Sequence, residues 1–502
     1  MPKADPTPTN KPKTKNTQPR RYLKGNPRNQ TQLLPKTVDE YIPKENEARL
    51  IDTFIDSLDL KHHGFTHTAP TTEGRPPYDP ADILKLYVWG YLNGVRSSRK
   101  LERECARNLE AIWLMKGLTP DHWTIAAFRR ENAGVIKAVF RELIKLLIEM
   151  GLVGRDLVAV DGVKLKAVNS NERNLRRETL TMNIERMDAA VAGYLKTLDE
   201  ADREEEGGSG EAARLREKLG KLAGRRMEAE ELLRRLEASG EGEVSLTDPD
   251  CRLMKNRGRL EPCYNAHAAV DTESHLVVGY DVSNSASDAH ALNPIALEAK
   301  RALGVEELKV AADKGFHDAS EVARCLESGV VPYVPRPDVY ARGRGARSGV
   351  PTREFRGDKF TYDDVRDAYV CPVGCLLTLR GVSEVNGRMR RMYRSDACRS
   401  CPHRMAECTR NRFGRVLYRC GEEGLLLEME VRLRAEPWVM EARKATVEHV
   451  FGTVKRGFNQ GYFLLRGLGR VVGEVGLTML VYNLRRAISL VGVGGLVACI
   501  SA

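Results

Sequence analysis

Three acidic residues of this 502-residue chain lie where carboxylates can do chemistry. Asp161 interrupts the apolar, β-branched stretch DLVAVDGVKLK, and Asp313 directly follows the stretch LKVAA. Both stretches are typical of buried strands, where a carboxylate is costly to bury unless it is paired, protonated or bound to a metal. Glu448 begins a helical face that continues through Phe451 and Lys455. Its carboxylate can therefore turn toward the sheet edge at which the strands place Asp161 and Asp313.

Together these acids predict a site for two divalent ions, Mg²⁺ or Mn²⁺. Two such ions can activate the attacking oxygen and stabilise the leaving oxygen in phosphoryl transfer, with water or a freed 3′-hydroxyl as the attacking group. Taken singly, each acid is more often a salt-bridge or capping group. The order of the surrounding motifs, given below, favours the catalytic interpretation.

A second group of candidate ligands is a cluster of cysteines. Five of the eleven cysteines fall in the stretches CPVGC and CRSCPHRMAEC. The two-residue gap between Cys398 and Cys401 lets both thiolates meet one ion, and Cys371 with Cys408 completes a tetrahedral set. We therefore predict a structural Zn²⁺ site, because four protein ligands leave no position for a substrate.

Other ligand sets remain open. Cys375 and His403 are substitutes for members of the zinc set, and buried cysteines without a metal are the alternative to it. We expect the remaining histidines near the acidic motifs to be supporting or core residues, since a metal-activated water needs no separate base. They are His267, His290, His317 and His449.

Composition favours a polyanionic partner and an intracellular location. Lys and Arg outnumber Asp and Glu by 80 to 69, a formal charge of +11. Residues 1–30 are basic and almost free of apolar side chains, so we expect a disordered arm that serves as a solubilising tail or a non-specific phosphate contact. We find no secretory signal and no uncharged apolar run of about 18 residues, and predict a soluble, cytoplasmic, nucleoid-associated protein without a membrane partner.

The elements that position these residues follow from periodicity. Residues 31–150 predict a helical domain, in which three short helices resemble a helix-turn-helix DNA-binding arrangement. The third of these helices carries Arg129 and Arg130, which we take as DNA contacts. Simple helical packing is the alternative, because any small bundle gives the same periodicity.

Residues 151–170 and 240–340 predict the first part of an α/β core. Three strands, a helix, a strand and a helix follow in the order of a ribonuclease-H-like fold, with a mixed sheet flanked by helices. Residues 171–239 predict an inserted helical hairpin that either contacts DNA or a second subunit or is a solvated spacer. Residues 341–425 are the inserted cysteine-rich zinc module, and 426–502 the catalytic helix around Glu448 with closing helices.

Several stretches resemble one known family along nearly the whole chain. They are YDPADILKLYVWGYLNGVRSSRKLERECARN, LTPDHWTIAAFRREN, VAVDGVKLKA, LTDPDCRLM, VAADKGFHDA, VEHVFGTVKR and LVYNLRR. In this order they are similar to bacterial insertion-sequence transposases of the DDE type, whose core resembles that of retroviral integrases.

The resemblance implies roles for particular residues. It makes Asp161, Asp313 and Glu448 the catalytic, metal-binding triad, and Lys455 a phosphate contact on the same helix face as Glu448, or alternatively a structural salt-bridge partner. Related transposases carry a Tyr and an Arg shortly before the glutamate, whereas this chain has Glu441 and Lys444 there. Lys444 keeps the charge for a DNA contact but lacks the bidentate fork of arginine.

The resemblance also implies an activity and partners. We expect a homo-oligomer that binds the terminal inverted repeats of an insertion sequence on double-stranded DNA, cleaves there, and transfers the strands into target DNA. Two alternatives remain: a catalytically silent DNA-binding regulator derived from a transposase, and a ribonuclease-H-like nuclease.

Overall fold

The computed structural model describes residues 36–69, 76–170, 173–203, 209–239, 242–337, 351–385, 388–458 and 460–502. Capping residues in the sequence mark where several of its first helices begin. The six helices are α1 (Glu47–Asp56), α2 (Pro80–Leu92), α3 (Ser98–Arg107), α4 (Leu109–Leu114), α5 (His122–Glu131) and α6 (Ile136–Glu149). Asp79 caps α2 and Asp121 caps α5, as the sequence indicates. The predicted second helix is broken at Asn108, whose side chain caps α4.

Helix α2 is buried on all sides, although its sequence suggested one apolar face. Its Lys85 is fully buried, and its ammonium group lies 2.6 Å from Asp52 and 2.7 Å from Asp56 of α1. The two carboxylates neutralise a charge that would otherwise keep this face in water.

The insertion after the first core strand is the predicted helical hairpin. The strand β1 (Leu157–Lys166) is followed by β2 (Asn174–Arg176), α7 (Arg177–Arg203), α8 (Ser209–Ser239) and β3 (Glu243–Ser245), with β2 and β3 paired at the hairpin base. Leu180, Ala229 and Leu236 form a small core between the two helices. Part of the turn predicted at 206–210 lies outside the described residues.

The central sheet has the predicted element order. Its further elements are β4 (Arg252–Asn256), β5 (Arg259–Asp271), β6 (Val277–Ser283), α9 (Leu292–Leu303), β7 (Leu308–Ala312), α10 (Ala319–Glu327) and β8 (Val330–Tyr333). The strands lie in the order β6-β5-β1-β7-β8, with β4 paired to the first half of β5. β1 is antiparallel to β5 and parallel to β7, so the predicted mixed α/β sheet is confirmed.

The cysteine-rich segment contains a second sheet that the sequence analysis did not predict. Its strands are β9 (Thr361–Asp363), β10 (Ala368–Val370), β11 (Leu376–Val385), β12 (Arg388–Arg394) and β13 (Val416–Cys420), all antiparallel. It has its own core of Phe355, Phe360, Tyr369, Leu377, Tyr393 and Cys408. We call residues 351–420 the cysteine module.

Three helices follow: α11 (Glu423–Ala435), α12 (Trp438–Arg456) and α13 (Leu468–Ser501). The side-chain amide of Asn483 on α13 pairs with the backbone of Val277 on β6 at 2.7 and 2.8 Å. Glu474 on the same helix is buried against Arg96, which precedes α3. One continuous hydrophobic core therefore joins the N-terminal helices to the sheet, with no break near residue 150.

Helix α13 is the one described helix that is long and apolar enough to cross a membrane by length and composition. Its first half, Val471 to Leu484, is almost wholly buried in this core, whereas its most apolar 18-residue stretch is 22% buried and the helix is kinked at Gly492. The chain up to Tyr41 forms a separate unit, of which residues 36–41 are described and contain a short 3₁₀ helix.

Candidate active site

Strand register brings the first two predicted acids together. β1 and β7 run parallel with Val160 beside Ala312, and this pairing ends there. Asp161 is the next residue of β1 and Asp313 directly follows β7, so the two acids lie near each other where the strands part, and the charge of Asp313 acts on Asp161. We call this place the reaction edge.

Asp161 is a half-buried carboxylate with one cationic partner. Burial raises its pKa, and the nearby charges of Asp313 and Asp288 add to this rise. The guanidinium of Arg443, 3.3 Å away, and the backbone N–H of Gly162, which donates to Asp161 at 2.8 Å, act in the opposite direction. Burial is thus the main reason that the protonated form of Asp161 is favoured, and a cation at this carboxylate would favour the charged form.

Asp313 is held by the turn that follows its strand. Its Oδ1 accepts the backbone N–H of Gly315 at 2.7 Å, which fixes the carboxylate at the start of a short 3₁₀ helix. A side chain on Gly315 would lie 2.9 Å from that oxygen, so the glycine of the ADKG stretch is required by close approach.

Asp288 is an acid of the same edge that the sequence analysis missed. It lies in the polar stretch between β6 and α9, where nothing in the sequence distinguishes it from neighbouring loop residues. Burial opposes its ionisation, but hydrogen bonds from His267 at 3.0 Å and Asn265 at 2.6 Å outweigh burial and lower its pKa. His267, expected to be a supporting residue, is buried and takes that role.

Glu448 is not brought into contact with the other two acids. It is exposed on α12, and the residue of that helix that contacts Asp161 is Arg443. Within the described ranges, no group of three or more His, Cys, Asp or Glu side chains is placed to hold a metal ion. The donor chemistry of Asp161 and Asp313 fits a divalent ion, whereas the third ligand of the predicted triad is not assembled.

Two family models match parts of the chain. A model of the transposase DDE domain matches residues 247–484, a range that contains Asp313 and Glu448. A model described as a transposase domain (DUF772) matches residues 36–131. The chain belongs to the insertion-sequence transposases of the DDE type. Searches of curated proteins and of solved structures found no match.

The predicted DNA-contact residues of the transposase differ in their surroundings. Lys455 is half-buried, and burial together with Arg257 lowers its pKa while the charge of Asp161 opposes this, so Lys455 lies near the reaction edge. Lys444 and Arg130 are exposed.

Arg129 is placed differently from what the sequence analysis expected. It is only 6% exposed, its guanidinium donates to the Tyr91 hydroxyl and the Arg96 carbonyl, and it stacks on Tyr87. These contacts assign Arg129 to packing of the helices and argue against the expected contact with DNA.

The five clustered cysteines of the transposase surround one small cavity of about 20 Å³. Cys371 Sγ accepts the backbone N–H of Cys375 at 3.1 Å, and burial raises the pKa of Cys408 to about 11 despite the nearby Arg415. All five are free thiols, and, as placed, they form no metal-binding group. His403 is turned to Glu407 at 3.2 Å and stacks on Phe355, so Cys375 is the better-placed substitute ligand.

Proposed function

We propose that this transposase binds the terminal inverted repeats of its insertion sequence and catalyses metal-dependent DNA cleavage and strand transfer. The observation that carries the proposal is the placement of Asp161 and Asp313 directly after the last paired residues of β1 and β7, inside a chain of the DDE family. When bound, two Mg²⁺ or Mn²⁺ ions would supply charge stabilisation at the attacking and leaving oxygens.

Helix α12 supplies the remaining groups of the proposed site. Glu448 and Lys455 are seven residues apart, so they share one helix face. Because Lys455 lies near Asp161, this face is directed at the reaction edge, and the proposal requires α12 to move on binding DNA so that Glu448 reaches the two aspartates. Arg443 then serves as the counter-ion of Asp161 before the cation arrives.

Lys455 near this edge and two exposed cations elsewhere on the chain would hold the DNA backbone. We assign phosphate contacts to Lys455, Lys444 and Arg130, since an ammonium or guanidinium group within reach of a phosphate positions the duplex without reading its sequence. We further propose that the transposase acts as a homo-oligomer on paired ends, in the cytoplasm, because cleavage and joining concern two ends of one element.

The test is a cleavage and joining assay on labelled duplex DNA that carries the flanking inverted repeats, with Mg²⁺ or EDTA. The proposal expects metal-dependent cutting and joining by the wild type, with both lost in Asp161→Ala and end binding retained. Binding without cutting in Mg²⁺ or Mn²⁺ would instead identify a silent regulator, and cutting without joining a nuclease.

We also propose that the cysteine module binds one structural Zn²⁺ through Cys371, Cys398, Cys401 and Cys408. The support is the convergence of five thiols on a cavity of ion size and the N–H···S hydrogen bond to Cys371, which stabilises a thiolate. Cys375 lines the same cavity and competes for the fourth position.

A further inference from the structure

Helix α3 carries a continuous basic face. Four exposed cations share it: Arg99, Lys100, Arg103 and Arg107. At 3.6 residues per turn, these positions fall within about 100° of the helix circumference. Leu101 and Cys105 lie on the opposite side of the helix and are buried. The helix is therefore packed into the protein by its apolar side and turns a row of positive charges to solvent.

The charge of this face is largely left unneutralised by the protein itself. Three of the four cations form no ion pair within the described part of the chain, and Arg107 is paired with Glu104. The remaining acid of the helix, Glu102, points to α5, where it contacts a histidine at 3.0 Å. Like charges four residues apart, as in Arg99 and Arg103, destabilise a helix. An anionic partner on this face would relieve that repulsion.

Helix α5, where the sequence analysis expected the DNA contacts, offers less free charge. Arg129 is buried in the packing of the helices, and Arg130 is paired with Glu131 at 3.2 Å. Helix α3 packs against α5, so the two helices belong to the same helical domain. Within that domain, the charge that suits a polyanion therefore lies on α3.

The turn before α3 joins this face to the end of α12. Gly94 lies so close to Gly457 that an added Cβ would be 3.7 Å from the Gly457 carbonyl oxygen. Gly457 is the residue at which α12 ends, next to the exposed Arg456. Arg96 is buried and donates to the carbonyl of Tyr462, in the loop that follows α12, at 2.7 Å. Helix α3 and the end of α12 thus present their cations from one packed body.

We infer that the basic face of α3 binds the sugar-phosphate backbone of the DNA duplex on which the reaction edge acts. Duplex DNA fits this face because it carries one negative charge per about 1.7 Å of its axis, and cations that neutralise phosphates release bound counterions. The contacts are assigned to Arg99, Lys100 and Arg103. The inference rests on the proposed function and deepens it, since it names a DNA-contact surface on a helix distant in sequence from α12.

The experiment measures binding to a labelled inverted-repeat duplex and to an unrelated duplex of equal length, over a range of salt concentrations. It compares wild type with the triple variant Arg99→Ala/Lys100→Ala/Arg103→Ala. We expect the affinity of the variant for both duplexes to fall by about tenfold or more, and the slope of log affinity against log salt to become shallower by about two to three. The melting temperature should stay close to that of the wild type, because alanine is tolerated at exposed helix positions.

Single variants separate a contact at this face from a general loss of charge. Arg103→Ala and Arg301→Ala each remove one exposed cation, the second from the last turn of α9. Arg103→Ala should make the salt slope shallower by about one, whereas Arg301→Ala should leave it unchanged. Arg103→Lys, which keeps the charge, should retain most of the affinity.

The outcomes separate this inference from the proposed function. Equal affinity and equal salt dependence of wild type and triple variant would overturn the role of α3. If the triple variant then also has a lower oligomeric mass by light scattering, the face contacts an acidic surface of a second copy instead. A loss of affinity confined to the inverted-repeat duplex would contradict backbone contacts.

Binding by wild type without cutting, in Mg²⁺ and in Mn²⁺, would overturn the proposed catalysis and leave the contact at α3 in place. Absence of binding to either duplex by wild type would overturn both.

Discussion

The reaction edge and the cysteine module hold reactive groups in opposite ways. The acids of the edge lie at the rim of the large central sheet and stay partly open, with 28% of the Asp161 side chain and 27% of the Asp288 side chain exposed. The thiols of the module enclose a cavity of about 20 Å³ beside a small separate core that includes Cys408. The acids of the edge are therefore accessible to solvent, and the central sheet supports them. The thiols, in contrast, belong to the packing that stabilises their own module.

The largest expected effect separates chemistry from folding at the reaction edge. Asp313→Asn should reduce strand cleavage by about 10³-fold or more, because the lost charge is required to stabilise the transition state. The melting temperature of the variant should stay close to that of the wild type, since the described hydrogen bond of the Asp313 side chain is a local one, from the backbone N–H of Gly315. Asp396→Asn removes an exposed carboxylate from the cysteine module and should leave cleavage unchanged. A large loss of activity in that control would mean that the two regions are coupled.

The second effect should appear in the module as a loss of folding. Cys398→Ser should remove the bound zinc, and because metal binding in such sites contributes on the order of 10 kcal/mol to folding, the small core should open. Metal analysis should give about one Zn²⁺ per wild-type chain and none in the variant, with faster hydrogen exchange at Tyr369, Leu377 and Tyr393. Cys499→Ser, at an exposed cysteine, is the control. If metal analysis finds no zinc in the purified wild-type protein, the proposed zinc site is wrong.

A third, smaller effect tests whether the edge also depends on a partly buried ion pair. Arg443→Ala leaves Asp161 without its counter-ion, and since Asp161 stays 28% exposed to water the loss of chemical stability should be about 1–3 kcal/mol. The neighbouring Lys444→Ala, at an exposed position, should change stability by less than about 0.5 kcal/mol. Adding Asp161→Asn to Arg443→Ala should restore part of the loss, and purely additive effects would show that the two side chains do not interact.

The smallest effect concerns pH. Burial lowers the pKa of His317, four residues after Asp313, from its ordinary 6.5, with a further contribution from Arg336. The unfolded chain then binds the proton more readily than the folded one, so this stability contribution is present above pH 6.5 and is lost as pH falls below it. His317→Gln should reduce the loss of stability between pH 7 and pH 5, measured by chemical unfolding at the two pH values.

Local signals predicted the sheet, and tertiary contacts decided the site. β7 has its predicted bounds because Leu308–Ala312 is a short run that is apolar except for Lys309. β5 begins at Arg259, before the apolar residues 265–270 that predict a strand, because its polar first half pairs with β4 at the sheet edge. The module strands escaped prediction because tyrosine and arginine, such as Arg419 over the Tyr362 ring at 3.6 Å, replace the aliphatic alternation that marks a strand.

The site shows the same division. The apolar surroundings of Asp161 and Asp313 made them visible in the sequence, and their adjacency followed from strand order. Asp288 and Arg443 were not visible, because each is defined by what it touches across the fold rather than by its neighbours in the chain. Arg129 misled the sequence analysis for the opposite reason. Its charge suggested an exposed side chain that contacts DNA, whereas the side chain is buried.

The position of α13 has a consequence for how the protein is made. This helix follows α1 to α6 and the whole central sheet in the chain, yet Glu474 closes on Arg96, and Gly473 packs so tightly against Ala133 that no side chain fits. The N-terminal helices therefore remain incompletely packed during synthesis until α13 has left the ribosome. Chains that stop before Leu468 should expose apolar surface and be degraded. Only chains that include α13 should therefore give a folded protein that can act on DNA.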